Sequence, residues 1–110
     1  MPVLDARRMD AYTALYDADL NEIRQTNCVT LNEEFENSLN GLRKIYIGGN
    51  AAEKCRQAFS FPNLIYTEQV DCDARAMVRI SNKKYLKNEF ENIAYFEPFY
   101  LKEFPAKSNF

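Results

Sequence analysis

Ala11-Tyr12-Thr13-Ala14-Leu15-Tyr16-Asp17-Ala18-Asp19-Leu20-Asn21-Glu22-Ile23-Arg24-Gln25-Thr26 is the stretch whose reading decides the fold. Residues 11–16 are dense in strand formers, 17–19 are a turn cluster, and 20–26 read as a further strand of looser pattern. Upstream, residues 3–6 have extended character and Arg7-Arg8-Met9 interrupts them before the next strand. The chain therefore opens as a meander of three strands.

Working outward, Thr30-Leu31-Asn32-Glu33 has the spacing of a capping box, in which a Thr30 hydroxyl and a Glu33 carboxylate would each satisfy an orphan N–H. Leu31, Phe35, Leu39 and Leu42 follow at helical spacing, with Gly41 placed to end the helix. Residues 44–47 suit a short buried strand bounded by Gly48-Gly49. Ala52, Cys55, Arg56 and Phe59 then mark a second helix stopped by Pro62. Residues 64–67 are a fifth strand. Ala74, Met77, Val78, Ser81 and Tyr85 define one face of a third helix, whose other face carries Arg75, Arg79, Lys83 and Lys87. Residues 88–92 read as a polar loop and 93–101 as a docked, extended aromatic tail.

The predicted order is β-β-β-α-β-α-β-α, an α/β fold with a mixed five-stranded sheet and helices on both faces. This order resembles a ribonuclease H-like subdomain, the unit duplicated in the actin, Hsp70 and sugar kinase superfamily. Such a likeness of topology licenses no chemistry by itself.

At 110 residues the chain is the size of one domain, expected over 1–104 with 105–110 frayed. Its 46% apolar and 27% charged residues are those of a globular protein. No apolar run approaches the roughly 20 residues that span a bilayer, and residues 1–5 lack the pattern of a signal peptide, so a cytoplasmic location with no membrane contact is expected. Cys28, Cys55 and Cys72 are odd in number and far apart, which fits neither a disulfide framework nor a zinc site with paired ligands, and they read as reduced, largely buried thiols. A net charge of −2 with interspersed signs is not the footprint of a nucleic-acid binder acting alone.

The chain contains no histidine. That removes a His general base, Ser-His and Cys-His nucleophile pairs and His-bearing metal sites. Asp5, Asp10, Glu33, Glu34, Asp71 and Asp73 read as caps and turns rather than an acid/base pair. No catalytic residue and no metal ligand is expected.

Asp5-Ala6-Arg7-Arg8-Met9 leading into a strand with Tyr12, the Gly48-Gly49-Asn50 turn, and Ala94-Tyr95-Phe96-Glu97-Pro98-Phe99-Tyr100-Leu101 together resemble the C-terminal half of the TsaB (YeaZ) family. These are bacterial tRNA threonylcarbamoyladenosine biosynthesis proteins, also called glycoprotease-like. The resemblance covers residues 2–102, and the motif positions are Asp5, Arg7, Arg8, Tyr12, Glu97, Pro98 and Tyr100. Family members are about twice as long and carry an N-terminal lobe that would precede Pro2. By this resemblance the chain starts inside such a protein, through an engineered cut at the lobe boundary in preference to a natural fragment.

The resemblance implies a non-catalytic partner subunit in the modification of tRNA adenosine 37. It would support the catalytic subunit TsaD alongside the ATPase TsaE, touching tRNA only indirectly. ATP and threonylcarbamoyl-adenylate are used by that complex, and no cofactor is expected on this fragment. The alternative is a degenerate nucleotide-binding or glycoprotease-like hydrolytic domain of the same superfamily. A cut between packed lobes would also uncover apolar surface and permit self-association.

Gly48, Gly49 and Asn50 are the weak candidates for a nucleotide contact, because glycine lets a backbone come close to phosphate at a helix start. Without a neighbouring lysine and Ser/Thr pair they are not a phosphate loop, and a tight turn with positive φ is the plainer reading. Arg7 or Arg8 is expected to bridge to Asp5 or Glu97 and order the turn and tail, with a subunit or RNA surface as the other use. Tyr95, Phe96, Phe99 and Tyr100 are expected to anchor the tail on the core rather than stack on RNA. The basic stripe is expected to be a solvated helix face rather than a phosphate track.

Overall fold

The computed structural model describes residues 1–67 and 70–103. The chain divides into two compact units, Met1–Asp71 and Cys72–Phe110. The domain expected over 1–104 spans both, and the expected frayed tail over 105–110 lies outside the described residues.

Met1–Asp71 holds the meander. β1 (Val3–Asp5) pairs antiparallel with β2 (Asp10–Tyr16), which pairs antiparallel with β3 (Glu22–Thr30). The register sets Val3 against Thr13, and Thr13 against Asn27. It then shifts between Thr13 and Leu15. Such an irregularity breaks the period of two and re-aims side chains, so Thr13, Ala14 and Leu15 are buried in succession. The turn after β2 closes as expected of its composition: Asp17 Oδ1 accepts from the backbone N–H groups of Asp19 and Asn21 at 2.9 and 2.8 Å.

β3 runs to Thr30, beyond the predicted end at 26, and this overturns the capping box. Thr30 is the last strand residue, and its hydroxyl donates to Asp10 Oδ1 at 2.8 Å. The helix α1 (Glu33–Ser38) is capped instead by Asn32, whose side chain accepts from Phe35 N at 2.9 Å. Threonine is at home in a strand, and asparagine is the better N-cap of the two. Leu31 and Leu39 are buried as the helical spacing predicts.

β4 (Ile45–Ile47), α2 (Ala52–Ala58) and β5 (Leu64–Tyr66) follow, and β4 pairs parallel with β5. The molecule is thus mixed α/β, but the expected continuous five-stranded sheet is not formed. Among the described residues there is a three-stranded antiparallel sheet and a two-stranded parallel one, joined by a single parallel bridge between Pro2 and Gly48. Val3 N donates to Gly48 O at 2.9 Å and Gly48 N to Met1 O at 3.3 Å. At Gly49 the chain takes φ +127° and turns away, so the ladder stops after one step. The core of this unit centres on Val3, Leu39, Ile47 and Cys55, all essentially inaccessible.

In Cys72–Phe110 a 3-10 turn (Ala74–Ala76), capped by Asp73, leads into α3 (Met77–Leu86). The third helix therefore lies where periodicity put it. Its apolar face is not buried: Met77, Val78 and Tyr85 are each about two-thirds exposed. The tail also departs from expectation. It makes a turn in which the N–H groups of Tyr95 and Phe96 donate to Asn92 O at 3.0 and 2.8 Å, and Tyr95, Phe96, Phe99 and Tyr100 are all exposed. No residue of 72–103 is buried. Within Cys72–Phe110 the tail finds no core to pack on, and its rings form an open aromatic surface of that unit. No helix among the described residues is long and apolar enough to cross a membrane.

Candidate functional site

The motif residues near the start of the chain meet the glycine turn at one end of Met1–Asp71. The β1–β2 hairpin closes with Ala6 N donating to Asp10 O at 3.1 Å and Asp10 N to Arg7 O at 3.0 Å. Arg7 and Arg8 sit at its tip with φ of 71° and 50°. Left-handed backbone costs a non-glycine residue on the order of 1 kcal/mol, so two in succession need external support.

That support comes from three polar side chains. Asp5 Oδ1 accepts from Arg7 N at 2.8 Å, and Asn50 Oδ1 accepts from Asp5 N at 2.8 Å. Lys54 Nζ donates to Asp5 Oδ1 at 2.6 Å, to Arg8 O at 2.9 Å and to Asp10 O at 2.8 Å. An ammonium has three protons, and here three acceptors take them. The Lys54 hydrogen bond, followed by that from Arg7 N, holds the Asp5 carboxyl below its ordinary range. Lys54 is a staple of the hairpin.

Each expected site residue can now be placed. Asp5 is engaged, but by Lys54 and not by an arginine. Arg7 and Arg8 are exposed, and within Met1–Asp71 neither guanidinium meets Asp5, whose ion pair is with Lys54, so the expected bridge to Asp5 is replaced by a lysine. Tyr12 lies in β2 opposite Leu4 and Cys28. Gly49 brings its backbone against β1: a Cβ there would stand 2.1 Å from Val3 O. The close approach that this glycine permits is to the protein's own strand. Gly48 lies in the bridge to Pro2, and Asn50 is spent on Asp5. Glu97, Pro98 and Tyr100 belong to the other unit, where they are exposed.

Sequence reasoning did not single out Lys54, because nothing local marks a lysine whose partners lie 44 to 49 residues away. It also passed over a second cluster. Glu36 is buried, and its Oε1 accepts from Ser60 N at 2.7 Å. Nearby in the pattern of interactions, the Arg56 guanidinium lies 4.9 Å above the Tyr66 ring, and the Tyr66 hydroxyl is buried with no hydrogen-bond partner among the described residues. Burial pushes the Tyr66 phenol up to about 12 and the Cys55 thiol up to about 11. Both shifts run away from neutrality, opposite to what a nucleophile or general base requires.

Of the cysteines, Cys55 is buried as expected, whereas Cys28 is half-buried and Cys72 exposed. The stripe of Arg75, Arg79, Lys83 and Lys87 is solvent-exposed. Comparison with family models, with curated proteins and with solved structures gave no match for this chain.

Proposed function

We propose that this chain is a ribonuclease H-like lobe serving as a non-catalytic partner in tRNA threonylcarbamoyladenosine modification, supporting a TsaD-type catalytic subunit. One observation carries the reading. Asp5, Asn50 and Lys54 are engaged in holding a strained hairpin, and its tip presents two exposed guanidiniums. Arginines fixed in this way can grip carboxylate or phosphate, and they do not transfer protons at neutral pH. The order β3-β2-β1, a parallel bridge to the segment after β4, then β4-β5 is compatible with half of a duplicated ribonuclease H-like protein. The open apolar surface of Cys72–Phe110 agrees with a lobe that packs against a sibling.

Reconstitution tests the proposal. With TsaD, TsaE, ATP, threonylcarbamoyl-adenylate and tRNA, the purified chain is expected to raise TsaD-dependent modification of adenosine 37, read by mass spectrometry, and to give none without TsaD. No increase, together with no association with TsaD in sedimentation velocity, overturns the reading. Calorimetric binding of ATP or ADP by the chain alone would favour the degenerate nucleotide-binding alternative.

A further inference from the structure

Just past α1 the chain carries Asn40-Gly41, and no other asparagine in the sequence precedes a glycine. A backbone nitrogen that follows an asparagine can attack the side-chain carbonyl carbon and close a five-membered succinimide. Glycine favours this step, because it has no Cβ to obstruct the approach and its backbone turns easily. The fold leaves the pair open to it. Both residues are exposed in the turn between α1 and β4. Gly41 takes φ +88° with nothing within 4 Å of where a Cβ would stand, and its N–H donates to no acceptor among the described residues. The Asn40 side chain makes one long hydrogen bond, from Nδ2 to Asn37 Oδ1 at 3.5 Å. Asn32 and Asn50 are held far more closely, each accepting a backbone N–H at 2.9 and 2.8 Å respectively.

The place of the pair gives the reaction a structural consequence. Leu39, before it, is essentially inaccessible, and Leu42, after it, packs against the same core cluster. Asn40 N donates to Asn37 O at 3.1 Å and Leu42 N to Leu39 O at 3.4 Å, so the turn is tied on both sides. An isoaspartyl link routes the main chain through the side-chain carbon and adds one atom to the backbone between two anchored leucines. It also sets a carboxylate beyond the C-terminal end of α1, whose last turn has no base, and negative charge is disfavoured there.

We propose that Asn40-Gly41 is a self-modification site, at which the chain converts spontaneously to isoaspartate and thereby loosens the hold of Leu39 and Leu42 on the core. Gly41 N bonds to Asn40 Cγ, the Cγ–Nδ2 bond breaks, and ammonia leaves with the proton from Gly41 N. Water then opens the succinimide. Its hydroxyl goes to the main-chain carbonyl carbon of residue 40, its hydrogen goes to the ring nitrogen, and the bond between those two atoms breaks. Addition of water at Cγ instead gives ordinary aspartate. The inference does not rest on the tRNA reading and fails separately from it.

Ageing of the full 110-residue chain at mildly alkaline pH tests this. Peptide mapping by mass spectrometry reads the loss of the amide, and methyl transfer from S-adenosylmethionine by an added isoaspartyl methyltransferase reads the isoaspartyl carboxylate. Residue 40 should convert about tenfold or more faster than any other asparagine, and the aged wild type should unfold at a lower urea concentration than the fresh protein. Asn40→Gln, which would have to close a less favourable six-membered ring, should accept no methyl groups at this position and keep its urea midpoint over the same interval. Freshly prepared Asn40→Asp supplies the charge without the added backbone atom, and its midpoint should lie between those of fresh and aged wild type. Conversion of another asparagine ahead of Asn40, or an isoaspartyl form that unfolds at the same urea concentration as the fresh chain, overturns the proposal.

Discussion

Met1–Asp71 and Cys72–Phe110 draw on the same kinds of residue to different effect. Both have an apolar face at helical spacing and both are rich in aromatics. In the first unit, Leu31 and Leu39 from around α1 and Cys55 from α2 join Val3 and Ile47 from the strands in one buried cluster. In the second, α3 has an equally regular pattern and buries nothing among its described residues. The difference teaches that periodicity specifies a helix and its sidedness, while burial requires a second surface to close over that side. A strand meander supplies one in Met1–Asp71.

The largest effect expected from this contrast comes from Gly49. Gly49→Ala would drive a Cβ into the Val3 carbonyl at a position with φ +127°, and should cost about 4 kcal/mol or more in urea unfolding. A loss below 1 kcal/mol would mean that the turn is not clasped to β1. Next in size is a matched pair. Leu39→Ala, deep in the cluster, should cost about 3 kcal/mol, and Phe99→Ala in the open tail should leave the unfolding of Met1–Asp71 within about 0.5 kcal/mol.

The smallest effect is one of pH. Cys55 is raised in the folded chain from 9.0 to about 11, so the folded state holds its proton more tightly than the unfolded state does. That contribution is complete below about pH 9 and is lost as pH climbs toward 11, on the order of 2 kcal/mol in all. Tyr66, raised to about 12, extends the loss in the same direction. Chemical unfolding across pH 8 to 11 should therefore show falling stability, with part of the fall abolished by Cys55→Ala. An unchanged slope in that variant would refute the assignment to the buried thiol.

Much of this was legible in residues 1–67. Strand-forming composition, the Asp17 turn, helical spacing from Leu31 to Leu42 and the Gly48-Gly49 break are all properties of near neighbours, and the element order follows from them. Boundaries were less legible where two local signals compete. Thr30 offers both a cap and a strand residue, and its pairing with Asp10 decides for the strand. The site was legible only in outline. Asp5, Arg7 and Arg8 were visible as a hairpin motif, but the carboxylate's partner is a lysine 49 residues on, which no spacing rule connects to it.

The sequence by itself determined the order of the strands and helices from β1 to α3, where most of them turn, and that no imidazole chemistry is available. Those properties depend on backbone preference, side-chain period and residue inventory, which are all local. Only the tertiary structure decided that the ladder breaks at Gly49, that Lys54 rather than an arginine holds Asp5, and that the third helix and the aromatic tail do not bury one another within their own unit. These depend on which distant surfaces meet, and an amphipathic segment carries the same pattern whether or not anything covers it.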